Sequence, residues 1–193
     1  MRITAADKAE TRKRIISVAK TLFQTRGFDA ATTRDIAKEV GIAAGTMFNY
    51  FSSKEALVVE LASQSLEKAE VDFAKSRRPG APLDETLFAS VAAQLRSLKP
   101  LRKYLRPLLE TALSPAAPQD VAEASLRSGL YEHFAGILRE HGVCDPSPLQ
   151  LNLFWSLYIG VLSYWGNDTS PKQEDSLALL DQSIRMYVGW LKL

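Results

Sequence analysis

The chain has 193 residues, 46% hydrophobic and 24% charged, with a net charge of +2, an ordinary globular composition that excludes disordered, collagenous and low-complexity scaffolds. A single cysteine, Cys144, excludes an intramolecular disulfide and a cysteine-based zinc cluster and suits a reducing cytoplasm; a chain of this length can bury about 70% of its unfolded surface without such staples. The charge is uneven: ten basic against six acidic residues up to Glu55, then fourteen against sixteen, give +4 followed by −2, a basic front end of the kind that polyanion-binding modules carry.

Met1 to Glu10 alternates charges with alanines and has no signal-peptide core. Apolar residues then recur at three- and four-residue spacing nearly to the end, broken by Gly and Pro, so the chain is predicted to be all-helical. Ile15, Ala19, Leu22 and Phe23 set a first amphipathic helix from about Asp7 to Arg26, stopped by Gly27. Thr32 caps a short second helix, Thr33 to Val40, with Ile36, Ala37 and Val40 inward and Gly41 at its end. A third follows from Ala44 to Tyr50. Ser52 and Glu55 have capping-box spacing for a long fourth helix reaching about Ser76.

After a loop at Arg77 to Pro82, helices are expected over Leu83 to Leu98, Pro100 to Leu113 and Gln119 to His141, with Pro107 bending or ending the second of these. Ser147 to Trp165 and Gln173 to Leu193 close the chain around a polar turn, Gly166 to Lys172. The most apolar stretch, Leu149 to Trp165, is too short and too rich in Gln, Asn and Ser for a membrane span, which leaves a buried helix in a soluble, cytoplasmic protein with no membrane partner. About nine helices result, in an all-α chain divided into residues 1–52 and 53–193.

The short helix, Gly turn and short helix between Thr33 and Tyr50, behind a supporting helix in the basic quarter, form a helix-turn-helix whose second member is the candidate recognition helix. Thr32 to Leu57, TTRDIAKEVGIAAGTMFNYFSSKEAL, closely resembles the DNA-binding segment of TetR-type (tetracycline-repressor-like) transcriptional regulators. The resemblance covers roughly the first 60 residues; beyond them only length and helix order are similar. It implies a homodimeric, usually repressing protein that grips a double-stranded operator and is released by a small-molecule effector. The residues agree with that implication. Gly45 permits close approach to the groove, Thr46 can meet a thymine methyl or a phosphate, and Asn49 and Tyr50 can donate to phosphates. Thr32, Thr33 and Arg34 sit where free amides and the helix dipole attract phosphate, and Lys54 offers the same at the fourth helix. Family members often carry a polar pair where this chain has Ala43 and Ala44, and often Tyr where it has Phe48. Fewer hydrogen bonds and more apolar and shape readout are therefore expected.

The helix from Ser147 to Trp165 has almost no polar face, so burial on several sides is expected. With the last helix it is predicted to build a four-helix dimer interface through Leu153, Leu157, Val161, Tyr164, Leu177, Leu180, Ile184, Tyr187 and Leu191. The middle helices should hold a pocket for a small, largely apolar effector near Phe88, Val91, Leu95, Tyr104, Leu108, Tyr131, Phe134, Trp155 and Tyr158, the last with Tyr104 and Trp155 able to orient a ligand by a polar tip. The basic run Arg96, Lys99, Arg102, Lys103, Arg106 could attract an anionic effector or sit near the DNA backbone, but reads first as a solvated or ion-paired face. His133 reads as a helix-surface residue or a satisfied core partner. His141, Cys144 and Asp145 straddle a helix end and read as a loop rather than a catalytic cluster. No catalytic residue, cofactor or metal is expected. The competing class is a helical ligand-binding protein or enzyme whose helix-turn-helix no longer binds DNA, motivated by Ala43, Ala44 and Phe48.

Overall fold

In the computed structural model, which describes residues 4–104, 109 and 121–191, all regular structure among the described residues is helical. The chain divides into two compact units, Met1–Leu61 and Ala62–Leu193.

In the first unit, α1 (Ala5–Arg26) starts earlier than its apolar pattern suggests because Thr4 and Asp7 form a reciprocal capping box. The Asp7 amide donates to the Thr4 hydroxyl (3.1 Å), and the Thr4 amide donates to the Asp7 carboxylate (3.0 Å). Ile15, Ile16, Ala19, Leu22 and Phe23 make its buried stripe. Thr32 and Asp35 repeat the box at α2 (Thr33–Val40), which buries Ile36, Ala37 and Val40. The chain leaves α2 through Gly41 at φ +79°, where the Gly41 and Ile42 amides donate back to the carbonyls of Lys38 and Ala37. That left-handed turn suits glycine because no Cβ meets the backbone.

α3 (Ala44–Met47) is shorter than the predicted Ala44 to Tyr50. Ala43 has no hydroxyl to cap it, and beyond Met47 the chain tightens. The Asn49 and Tyr50 amides donate to the carbonyls three residues back, Thr46 (3.1 Å) and Met47 (3.0 Å). α4 (Lys54–Ser76) starts with the Ala56 amide donating to Ser53 Oγ (3.1 Å), so Ser53, not the expected Ser52, supplies the capping oxygen. Two arginines of α1 tie the unit together. Arg12 reaches Glu60 with two nitrogens (2.9 and 2.7 Å) and lies 4.9 Å from the centre of the Phe51 ring, while Arg14 donates to the carbonyl of Val40 (2.6 Å).

The second unit contains the end of α4, α5 (Leu83–Leu98), α6 (Val121–Glu140), α7 (Pro148–Asn167) and α8 (Glu174–Leu191). After α5 the chain continues as a 3-10 turn, Lys99–Tyr104, rather than as the predicted α-helix from Pro100. Proline has no amide hydrogen with which to continue the α-helical ladder. Pro107, Leu108 and the rest of that predicted helix to Leu113 lie outside the described residues, except Leu109. α8 packs on both α5 and α7. The core is aromatic where α6, α7 and α8 meet: Phe134 lies edge-on to Phe154 (4.5 Å) and Tyr158 (5.4 Å), and Phe154 is 5.1 Å from Tyr187. Ser147 caps α7 with Gln150 in a third capping box.

The joint between α7 and α8 is held by Asp168, whose carboxylate accepts from the Ser170 amide (2.7 Å) and from both the amide (3.0 Å) and the hydroxyl of Ser176. These bonds hold its carboxyl well below the usual range. Arg102 closes the same end by donating to the carbonyls of Trp165 (2.7 Å) and Asp168. No helix among the described residues is long and apolar enough to cross a membrane.

Candidate nucleic-acid interface

α3 and the turn that follows it divide their side chains by fate. Met47 is fully buried and anchors the helix, whereas Ala44, Gly45, Phe48 and Asn49 are exposed and Thr46 and Tyr50 half-buried. Phe48 stands out, with 55% of its surface open to solvent. An exposed aromatic is costly to leave in water and useful against an apolar or planar partner. A Cβ built on Gly45 would meet nothing within 4 Å. Among the described residues nothing packs where a Gly45 side chain would stand.

The flanking residues are partly committed. The Thr32 hydroxyl accepts from the Asp35 amide (3.1 Å) and donates to the Asp35 carboxylate (2.6 Å), which also accepts from the Thr32 amide (3.0 Å). These bonds, with the nearby charges of Arg26 and Lys38, lower the Asp35 pKa. Thus an aspartate of the chain itself already occupies part of the N-terminus of α2, a competitor for phosphate that sequence reasoning missed. The T-x-x-D spacing is its signal. Thr33 and Arg34 remain in that first turn, Arg34 exposed, with amides that have no partner inside the helix. Lys54 is also partly engaged: its Nζ donates to the carbonyl of Phe28 (2.6 Å) and lies 4.1 Å from the centre of that ring, leaving two N–H groups uncommitted in that bond.

In the second unit the expected interface residues separate. Val161, Leu180, Ile184 and Tyr187 are buried within the chain, which withdraws them from any surface. Tyr164 and Leu177 are exposed, and Leu153, Leu157 and Leu191 half-buried. Leu149, Leu179, Met186 and Trp190, not anticipated, are also exposed. Leu149, Leu153, Leu157 and Tyr164 share one face of α7 and Leu179, Met186 and Trp190 one face of α8 by helical spacing.

The expected pocket residues are mostly core: Val91, Leu95, Tyr104, Phe134, Trp155 and Tyr158 are buried, Phe88 and Tyr131 half-buried, and Leu108 lies outside the described residues. An open cavity of about 650 Å³ lies instead between α4 and α6, over Leu66, Glu70, Phe73, Leu130, His133 and Ile137, and none of the expected pocket residues lines it. His133 is a satisfied core partner, with Nε2 2.7 Å from Ser90 Oγ and Nδ1 3.6 Å from Glu70. Burial lowers its pKa despite Glu140 nearby. His141 lies 2.8 Å from the carbonyl of Ile137 and 3.0 Å from that of Ala81, a structural position, while Cys144 is exposed beyond the helix end.

Comparison with known proteins places this geometry. The profile of bacterial regulatory proteins of the tetR family matches residues 15–61. The transcriptional repressor KstR2 of Mycolicibacterium smegmatis is 38% identical over 64 residues, which cover 33% of this chain and 31% of that protein. The matched stretch thus spans about a third of the length of such curated relatives. YhgD of Bacillus subtilis, an uncharacterized HTH-type transcriptional regulator, is 25% identical over 187 residues, 93% of this chain and 95% of its own. Among solved structures, Thermus thermophilus FadR, a TetR-family transcriptional repressor in complex with lauroyl-CoA, superposes with a TM-score of 0.73 and 25% identity over 92% of this chain and 93% of that one.

Proposed function

This chain belongs to the tetR family of bacterial regulatory proteins, and from that membership we propose that it is a ligand-responsive transcriptional regulator, a repressor that binds palindromic operator DNA as a homodimer in the cytoplasm. The observation that carries this reading is the exposed face of α3. Gly45 has open space where a side chain would stand, in a short helix whose Met47 is locked in the core, and the bare Phe48 and Asn49 follow in the turn after it. Gly45 lets the backbone approach the major groove, Phe48 packs on sugar or a thymine methyl, and Asn49, Tyr50 and Thr46 contact phosphates and base edges. Thr33, Arg34 and Lys54 add positioning contacts, with Ala44 at the entry of the helix and Thr32 contributing through the cap it forms.

Two copies pair through the exposed faces of α7 and α8, built on Leu153, Leu157, Tyr164, Leu177 and Leu191 with Leu149, Leu179, Met186 and Trp190. Pairing sets two recognition helices against successive turns of one face of the duplex. The second unit binds a small, largely apolar effector. A ligand that favours an arrangement unable to span both half-sites weakens operator binding by its differential affinity, with a coupling typically of about 1–3 kcal/mol. Titrating the protein onto duplex DNA at rising salt tests the DNA-binding part. A steep, linear fall of log affinity with log salt is expected from several phosphate contacts; no measurable association at low salt would overturn it.

A further inference from the structure

Among the described residues, three side chains in the core of the second unit have buried polar atoms without a hydrogen-bond partner. Gln94 on α5 is 1% exposed, Trp155 and Tyr158 on α7 are 4% and 2% exposed, and both amide atoms of Gln94, Nε1 of Trp155 and the hydroxyl of Tyr158 have no hydrogen-bond partner among the described residues. Native chains pair nearly all such groups. Other buried polar groups of this unit are paired: Ser90 with His133, Thr86 with the carbonyl of Pro82 (3.0 Å), Ser176 with Asp168, and the Tyr187 hydroxyl with the carbonyl of Gln150 (3.1 Å).

Trp155 and Tyr158 face α6, and Gln94 is carried on α5, whose Ser90 also reaches α6. Gln94 lies one turn beyond Ser90, on the face of α5 from which Ser90 meets His133 of α6. From the other side, Trp155 lies 5.0 Å from the ring of Tyr131, and Tyr158 lies 5.4 Å from that of Phe134, both on α6. Ser90, one turn before Gln94, and Tyr158 thus contact α6 at the adjacent residues His133 and Phe134. The chemistry of the set is specific. The amide offers two donors and an acceptor, the indole one donor, and the phenol one of each; none is charged. An ionised head group would enter this core with no opposite charge from these three residues to offset its desolvation.

We infer that Gln94, Trp155 and Tyr158 form the polar anchor of the effector site, and that it takes an uncharged molecule whose head both accepts and donates hydrogen bonds, a carboxamide or a hydroxylated carbonyl on an apolar or aromatic body. The inference rests on the effector-binding reading above and adds the chemical class of the effector and the residue, Gln94, that selects it. The body packs against the aromatic wall of Phe134 and Tyr131.

Thermal unfolding of the full-length protein with a matched series of probes tests this: benzamide and decanamide, against benzoate, decanoate and decylammonium. The carboxamides raise the unfolding temperature in a concentration-dependent way, and the ionic counterparts do not. In Gln94→Leu and Tyr158→Phe, which keep size and remove the polar atoms, the ligand-free protein unfolds at the same or a higher temperature while carboxamide affinity falls at least tenfold. The inference is overturned if ionic probes stabilise as well as neutral ones, if both variants keep full carboxamide affinity, or if no carboxamide raises the unfolding temperature. DNA binding measured on the same preparations separates the two readings. Carboxamide binding without DNA binding removes the regulator and keeps the anchor; DNA binding with no carboxamide effect does the reverse.

Discussion

Gly45 offers a perturbation whose effects on folding and on DNA have opposite signs. Its Cβ position is open, and its φ lies outside the left-handed range that disfavours side chains. Gly45→Ala therefore adds no clash and removes freedom from the unfolded chain, a gain of about 0.4–1 kcal/mol. For a chain of this size that is a rise in Tm of about 1–4 °C. Gly45→Leu should also leave the fold intact, since its extra atoms project into solvent. On the proposed DNA-binding reading the same atoms stand between α3 and the groove. Losing even one contact of about 1–3 kcal/mol per half-site, with two half-sites per dimer, weakens operator binding roughly 30-fold or more. Calorimetric melting of the free protein and fluorescence-anisotropy titration of a labelled operator read the two effects separately. Operator affinity unchanged in a folded Gly45→Leu protein would remove this face from the interface. A lower Tm for Gly45→Ala would show that the glycine serves the fold after all.

Phe48→Ala follows the same logic: roughly 100 Å² of its ring is open, and covering it on DNA is worth about 2 kcal/mol. Operator affinity should fall by about 30-fold per half-site, and equal titration curves for variant and parent would refute the contact. Met186→Glu with Trp190→Glu should yield a folded monomer in sedimentation equilibrium because both side chains are already exposed, whereas Ile184→Glu should unfold the chain; a dimer surviving the first pair moves the interface elsewhere. For pH, burial lowers the His133 pKa, so the unfolded chain binds the proton more readily and stability falls as pH drops below about 6.5 toward the folded value. The groups facing it are Ser90 on α5, Glu70 on α4 and Glu140 on α6. Glu70, raised by burial and by Glu67, acts in the opposite sense at lower pH, since protonating it relieves a desolvated charge. Urea midpoints between pH 7.5 and 6 should decline in the parent and flatten in His133→Gln; an equal slope in both assigns the effect to another group.

Much of this molecule is written locally. Gly27 and Gly41 end α1 and α2 where expected because a left-handed or extended exit is a single-residue property, and Thr32 caps α2 because its hydroxyl has a target three residues on. The end of α3 was less legible. Thr46, Asn49 and Tyr50 carry no breaker, so the periodic pattern ran on to Tyr50, while the uncapped, one-turn helix in fact tightens after Met47. At α4 two adjacent serines offered the cap, and sequence alone did not show that Ser53 makes it. In the second unit the ambiguity is one of faces. Leu179 beside Leu180, and Met186 beside Tyr187, put apolar residues on two sides of α8, and periodicity does not say which side meets α5 and α7. The inner side took Leu180, Ile184 and Tyr187; the outer kept Leu179, Met186 and Trp190. The pocket was the least legible because Val91 and Leu95 would be apolar whether they line a ligand or fill a core. Gln94 differs, a polar residue in an apolar run whose meaning depends on its having no partner.

Incubating the purified protein with a pool of randomised DNA duplexes, and sequencing what it retains, tests the claim that the exposed face of α3 reads DNA. An enriched inverted repeat, lost when Gly45→Trp and Tyr50→Ala are combined in a control that still dimerises, is the predicted result. A folded, ligand-free dimer that enriches no sequence, or a control that enriches the same repeat, would contradict it.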